Sequence, residues 1–133
     1  GETAADAIAV AREKWNDYDF FFLHVKGTDM AGEDGNFEMK KAVIESVDTA
    51  LPQLLALHPD VLCMTGDHST PTPVKGHSWH PVPALIHGKW CFADGFPRFH
   101  EKHCRTGSFS GLASKDLMAV LLANAGRLDK YGA

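Results

Sequence analysis

A strand–helix–strand succession in the first half of the chain leaves few folds open. The run 18-YDFFFLHV-25 is nearly continuously apolar and aromatic, as a strand covered on both faces would be. From about Phe37, the residues Val43, Val47, Leu51 and Leu54 recur at helical spacing and mark an amphipathic helix. Pro52 should kink or restart that helix, because proline removes a backbone donor. The second apolar run, 61-VLCMTG-66, follows. A crossover of this length joins parallel strands in a right-handed sense, so the two runs are expected to be parallel and adjacent or nearly so. Their C-terminal ends then share one sheet edge, where ligands bind in open α/β sheets.

That edge would be rich in ionisable groups. The stretch 27-GTDMAGEDGN-36, with its glycines and acids, reads as a loop and brings Asp29 and Glu33 after the first strand. The stretch 65-TGDHSTP-71 brings Asp67 and His68 after the second. The link 69-STPTPVKGHSWHPVP-83 shows no helical period, so the next strand, 84-ALIHG-88, is expected antiparallel and starting at the same edge. His77, just ahead of it, then joins the group. Carboxylate oxygens with imidazole nitrogens form a set suited to a divalent ion such as Mn²⁺ or Zn²⁺.

Bland explanations stay open beside the chemical one. The D-x-x-x-E spacing suits a helical turn, but here it contains Gly32 and reads as loop. The adjacent Asp67–His68 pair sends its side chains in different directions and can divide between two ions. Equally, Asp29 and Asp67 can cap helices and turns, with His68 and His77 bonded to backbone; spacing alone does not choose. Lys26 can hold a phosphate as a point charge or sit as a solvated strand end. The remaining histidines, among them His80, His87, His100 and His103, are not read as ligands. No EF-hand spacing, dinucleotide fingerprint, phosphate-binding glycine loop or G-x-S-x-G occurs.

Elsewhere, Ala4, Ile8, Ala11 and Trp15 mark an N-terminal amphipathic helix. The segment 90–111 reads as irregular or short-stranded. A last helix takes Ser114 as its cap, Leu117, Met118, Leu121 and Leu122 as its buried side, and Gly126 as its stop. At 133 residues the chain is one domain, and its net charge of −4 argues against nucleic acid or an anionic membrane as partner. No apolar run approaches the roughly 20 residues that span a bilayer. The acidic start, 1-GETAADAIAVAREKW-15, is unlike a signal peptide. Sparse, unpaired Cys63, Cys91 and Cys104 fit reduced thiols, so a cytoplasmic location is expected.

Four stretches in order, 24-HVKGTDMAGEDGN-36, 65-TGDHSTP-71, 77-HSWHPVPALI-86 and 114-SKDLMAVLLANAGRLDKYGA-133, closely resemble the C-terminal part of archaeal-type cofactor-independent phosphoglycerate mutases. That family belongs to the alkaline phosphatase superfamily. The resemblance implies a three-layer α/β/α fold with a mostly parallel sheet, of which residues 1–133 form the C-terminal part of the metal-binding domain. It implies interconversion of 3-phosphoglycerate and 2-phosphoglycerate, a step of glycolysis and gluconeogenesis, through a phosphoserine intermediate. Two divalent ions (Mn²⁺, Mg²⁺ or Zn²⁺) would assist in the full-length enzyme.

Carried over by position, Asp29 and His77 would ligate one ion, and Asp67 with His68 the other. Glu33 stands where the family usually has histidine, so the first ion would meet a carboxylate there in place of an imidazole. Lys26 would approach substrate phosphate. The family's nucleophilic serine lies in an N-terminal part that this sequence lacks, so no catalytic residue is assigned and Ser69 is not given that role. The chain alone is therefore expected to be inactive, to hold one ion or none, and to self-associate through a face that the missing part would cover. Two other functions remain: a related metal-dependent phosphohydrolase or phosphomutase on the same fold, and a non-enzymatic metal- or phosphate-binding module.

Overall fold

Thr3 starts the first helix. Its hydroxyl accepts from the Asp6 amide while the Asp6 carboxylate accepts from the Thr3 amide, so two otherwise orphaned donors are satisfied reciprocally. The computed structural model, which describes residues 3–128, continues as α1 (Ala4–Glu13), an irregular segment over 18–25, α2 (Gly27–Glu33) and α3 (Phe37–Leu55). The chain divides into two units, and these elements belong to the first, Gly1–His58 with His68–His80. Its core is built on small residues. Ala4, Ile8 and Ala50 are buried, and Leu23, Val25, Val47 and Leu54 pack against them. Ala4, Ile8 and Ala11 line the buried side of α1 as their spacing requires. Trp15 lies past the helix end and stacks on Phe21, with ring centroids 5.0 Å apart.

Three expectations for this unit need correction. Residues 18–25 form neither helix nor ladder strand among the described residues, so the expected parallel pairing with 61–66 is not found there. Leu23 and Val25 face the helices, while Phe20 and Phe22 on the alternate side are 56% and 78% exposed. An extended segment becomes a ladder strand only when neighbouring backbone takes its donors and acceptors.

Residues 27–33 form a helix where a loop was expected. Glycine lowers helix propensity by only about 1 kcal/mol, which packing can override. Gly35, at φ 69°, ends the helix: its amide bonds to Gly32 at 3.0 Å and that of Asn36 to Ala31 at 2.9 Å. Asn36 then caps α3 by accepting from the Met39 amide. Finally, α3 runs through Pro52 to Leu55 without restarting. Proline there forfeits one amide bond, but its carbonyl still accepts from Ala56 at 3.0 Å.

The second unit comprises Pro59–Asp67 and Pro81–Ala133. Strands β1 (Val61–Thr65) and β2 (Ala84–Gly88) pair antiparallel, from Val61 opposite Gly88 to Thr65 opposite Ala84. The antiparallel sense expected for 84–88 is thus observed. A short helix α4 (Glu101–Cys104), a 3-10 turn (Ser114–Asp116) and α5 (Leu117–Asn124) follow. Ser114 opens the 3-10 turn rather than capping α5 directly.

Gly126, at φ 66°, stops α5, with the Arg127 amide bonded to Leu122 at 2.9 Å. Leu117 and Leu121 are half-buried, but Met118 and Leu122 are 44% and 38% exposed, against expectation. The end of the fourth motif, residues 129–133, lies outside the described residues, as do residues 1 and 2. No helix among the described residues is long and apolar enough to cross a membrane.

Candidate metal centre

Asp29 stands in the first turn of α2 with its side chain only 12% exposed. Its two oxygens have separate partners. The Lys26 ammonium donates to Oδ2, and the Thr70 hydroxyl donates to Oδ1 at 2.6 Å. These bonds, Lys26 first and Thr70 second, outweigh partial desolvation and lower the carboxyl pKa from 3.8 to about 2. Asp29 is therefore held as an anion.

The segment 68–80 brings two imidazoles to that anion. An antiparallel bridge between Ser69 and Ser78, with the Ser78 amide bonded to the Ser69 carbonyl at 2.8 Å, closes the segment on itself. His68 and His77 then pack ring against ring with centroids 3.8 Å apart. Nε2 of His77 lies 3.5 Å from Asp29 Oδ1, and Nε2 of His68 lies 3.9 Å from the same oxygen. One donor atom from each of Asp29, His68 and His77 falls within 4.8 Å of the others.

These spacings suit a shared cation. Two bonds of about 2.0–2.2 Å at a tetrahedral angle separate their donor atoms by about 3.3–3.6 Å. The separations of 3.5 and 3.9 Å are of that order, so slight closure would complete the contacts. The donor chemistry fits as well: one carboxylate oxygen with two imidazole nitrogens suits borderline first-row ions.

Glu33 and Asp67 stand differently. Glu33 lies four residues after Asp29 on α2, hence on the same side of the helix. Its Oε1 is 3.7 Å from His77 Nε2, and its side chain is 52% exposed, so it sits at the rim. The D-x-x-x-E spacing thus works as a helical turn because the stretch is a helix. Asp67 is exposed, ends the Pro59–Asp67 stretch of the second unit, and is not one of the three converging residues. Lys26, 57% exposed, contacts Asp29 in this structure. His80 is engaged elsewhere, its Nδ1 2.9 Å from Ser78 Oγ and its ring stacked on Trp79.

Three residues that sequence reasoning did not single out organise the site. Thr70 is 3% exposed, and besides Asp29 its hydroxyl contacts His68 Nδ1 at 3.1 Å. Lys40 donates to the Thr70 carbonyl at 2.6 Å. Gly32 lets α2 rest on this segment: a Cβ there would lie 2.3 Å from the Thr70 carbonyl oxygen and 2.9 Å from its Cγ2. The available signal was Thr70 itself in 65-TGDHSTP-71, two residues after the histidine.

Comparison with known proteins places these residues in a wider setting. Residues 2–124 match the family model of the Metalloenzyme superfamily. Over all 133 residues the chain is 53% identical to a Thermotoga maritima protein and 52% identical to one from Aquifex aeolicus. Both carry the name "Probable 2,3-bisphosphoglycerate-independent phosphoglycerate mutase". The chain spans about a third of their length, 33% of each. Among solved structures, the PH0037 protein from Pyrococcus horikoshii is similar with a TM-score of 0.88 and 34% identity. That match covers 98% of this chain and 41% of the other.

Proposed function

This chain belongs to the Metalloenzyme superfamily, and we propose that it is the C-terminal, metal-binding part of a 2,3-bisphosphoglycerate-independent phosphoglycerate mutase. In this reading the complete enzyme interconverts 3-phosphoglycerate and 2-phosphoglycerate in the cytoplasm. The nucleophile comes from the two thirds of the relatives' length that this chain does not span. The observation that carries the reading is the convergence of Asp29, His68 and His77 on a chain 53% identical to a named mutase.

Asp29, His68 and His77 would hold a divalent ion, with Glu33 reaching the same place from the next turn of α2. Asp67 is left to help bind a second ion with ligands from the rest of the enzyme. A divalent ion so held would neutralise and orient the oxygens of a transferring phosphoryl group. The protein's own residues prepare for this. Thr70 and Lys26 keep Asp29 ionised, and Lys26 lies close enough to the centre to meet a substrate phosphate as a point charge. A chain of net charge −4 needs such local inversion of its field to attract an anionic substrate.

Calorimetric titration of Mn²⁺ and Zn²⁺ into this chain and into His77→Ala tests the centre. Binding that weakens in the variant is expected; equal binding by both overturns the assignment. For the activity, a polypeptide joining this sequence to the remaining two thirds of a mutase should convert 3-phosphoglycerate without added bisphosphoglycerate, and a strong chelator should stop it. The 133-residue chain alone should not turn over. Turnover by the isolated chain would overturn the assignment of the nucleophile to the other part.

A further inference from the structure

We propose that Thr70 is the positioning residue of the metal centre: its hydroxyl sets the tautomer of His68 and the aim of Asp29, so that both present unprotonated donors to the centre. The inference rests on the reading of Asp29, His68 and His77 as a metal centre.

Proton counting carries it. A threonine hydroxyl has one hydrogen to donate and lone pairs to accept with. Thr70 Oγ1 lies 2.6 Å from Asp29 Oδ1 and 3.1 Å from His68 Nδ1. A carboxylate only accepts, so the Thr70 proton goes to Asp29. The second contact is then a hydrogen bond only if His68 Nδ1 carries a proton and donates it. A neutral imidazole has a single ring proton, so Nε2 of His68 is left with its lone pair. That Nε2 is the atom 3.9 Å from Asp29 Oδ1. In water, free histidine favours the opposite tautomer, with the proton on Nε2. Thr70 thus selects against the default form, as a partner on the remote nitrogen of a metal-binding histidine commonly does.

The hydroxyl can do this only if its own place is fixed, and two contacts and the residue's own shape and burial fix it. Lys40 holds the Thr70 carbonyl at 2.6 Å. Gly32 lies so close that even a Cβ would meet that carbonyl at 2.3 Å. The β-branched side chain restricts χ1, and the residue is 3% exposed, so water does not compete for the hydroxyl. Serine would keep the hydroxyl; valine would keep the shape and lose it.

The test is nitrogen-15 NMR of the histidine rings in the metal-free 133-residue chain, above the histidine titration range, for wild type, Thr70→Val and Thr70→Ser. Wild type and Thr70→Ser should show His68 protonated at Nδ1, and Thr70→Val should shift it toward Nε2. Titration of Mn²⁺ and Zn²⁺ should show about a 10- to 100-fold loss of affinity in Thr70→Val, largely restored in Thr70→Ser. A wild-type His68 protonated at Nε2 overturns the proposal without recourse to any variant, so it stays falsifiable if Thr70→Val fails to fold. A folded Thr70→Val with unchanged tautomer and unchanged affinity overturns it too. A wild-type chain with the Nδ1–H form that takes up neither ion supports the tautomer selection and overturns the metal reading alone.

Discussion

Adding a single methyl group at Gly32 should loosen the first unit and the candidate metal centre together. Gly32 lies in α2, where alanine would ordinarily stabilise the helix by about 1 kcal/mol. Here the new Cβ would stand 2.3 Å from the Thr70 carbonyl oxygen, 2.9 Å from its Cγ2 and 3.0 Å from its Cβ. Carbon and carbonyl oxygen ordinarily approach no closer than about 3.3 Å, so the backbone at Thr70 must retreat by about 1 Å. Overpacking of this kind costs about 1–3 kcal/mol. Retreat also stretches the Lys40–Thr70 and Thr70–Asp29 hydrogen bonds, and bonds to charged groups contribute about 1.5–3 kcal/mol each when intact.

With the propensity gain subtracted and the bonds only partly lost, Gly32→Ala should destabilise by about 2 kcal/mol. Urea slopes of about 1–3 kcal/mol per M turn this into a midpoint lower by about 1 M. Gly76→Ala is the control, since a Cβ there meets nothing within 4 Å, and it should change stability by less than about 0.5 kcal/mol. Urea unfolding followed by circular dichroism reads both. A Gly32→Ala chain as stable as wild type, or more so, would show that α2 does not rest on Thr70.

Asp29 makes stability depend on pH in acid. Its folded pKa, about 2, lies below the ordinary 3.8, so its contribution is whole above the unfolded value and is lost as pH falls through the interval from 3.8 toward 2. Urea midpoints of metal-free wild type and Asp29→Asn between pH 2 and 6 should show a flatter acid limb in the variant; parallel limbs would contradict the shift. Glu33→His exchanges an anionic oxygen donor at the rim for an imidazole, so paired titrations should show Zn²⁺ affinity gaining relative to Mn²⁺. An unchanged preference would mean that Glu33 is not a ligand. The exposed Tyr18, Phe20 and Phe22, on a segment that joins no ladder among the described residues, should drive self-association of the isolated chain. Light scattering should show larger species that diminish in Phe22→Ser, whereas a monomeric wild type at high concentration would count against it.

What the sequence determined by itself was local. The face of α1 and the glycine stop after α5 each depend on a few consecutive residues, whose propensities and spacing act wherever the chain goes, and the antiparallel sense of 84–88 follows from a link, 69–83, without a helical period. Asp29, His68 and His77 were legible as candidates for a similar reason: His68 directly follows Asp67 just past the end of β1, and Asp29 and His77 lie in short stretches rich in polar groups. Only the tertiary structure decided which of these groups meet and what holds them. Thr70 reaches Asp29 across 41 positions and Lys40 across 30, and no periodicity encodes such contacts. The helix over 27–33 depends on the same seat: two glycines weaken it locally, while contact with 68–80 and with α3 rewards it. The segment 18–25 shows the converse. Its composition demands a strand, but a strand is completed by its neighbours' backbone, and its own residues cannot supply that.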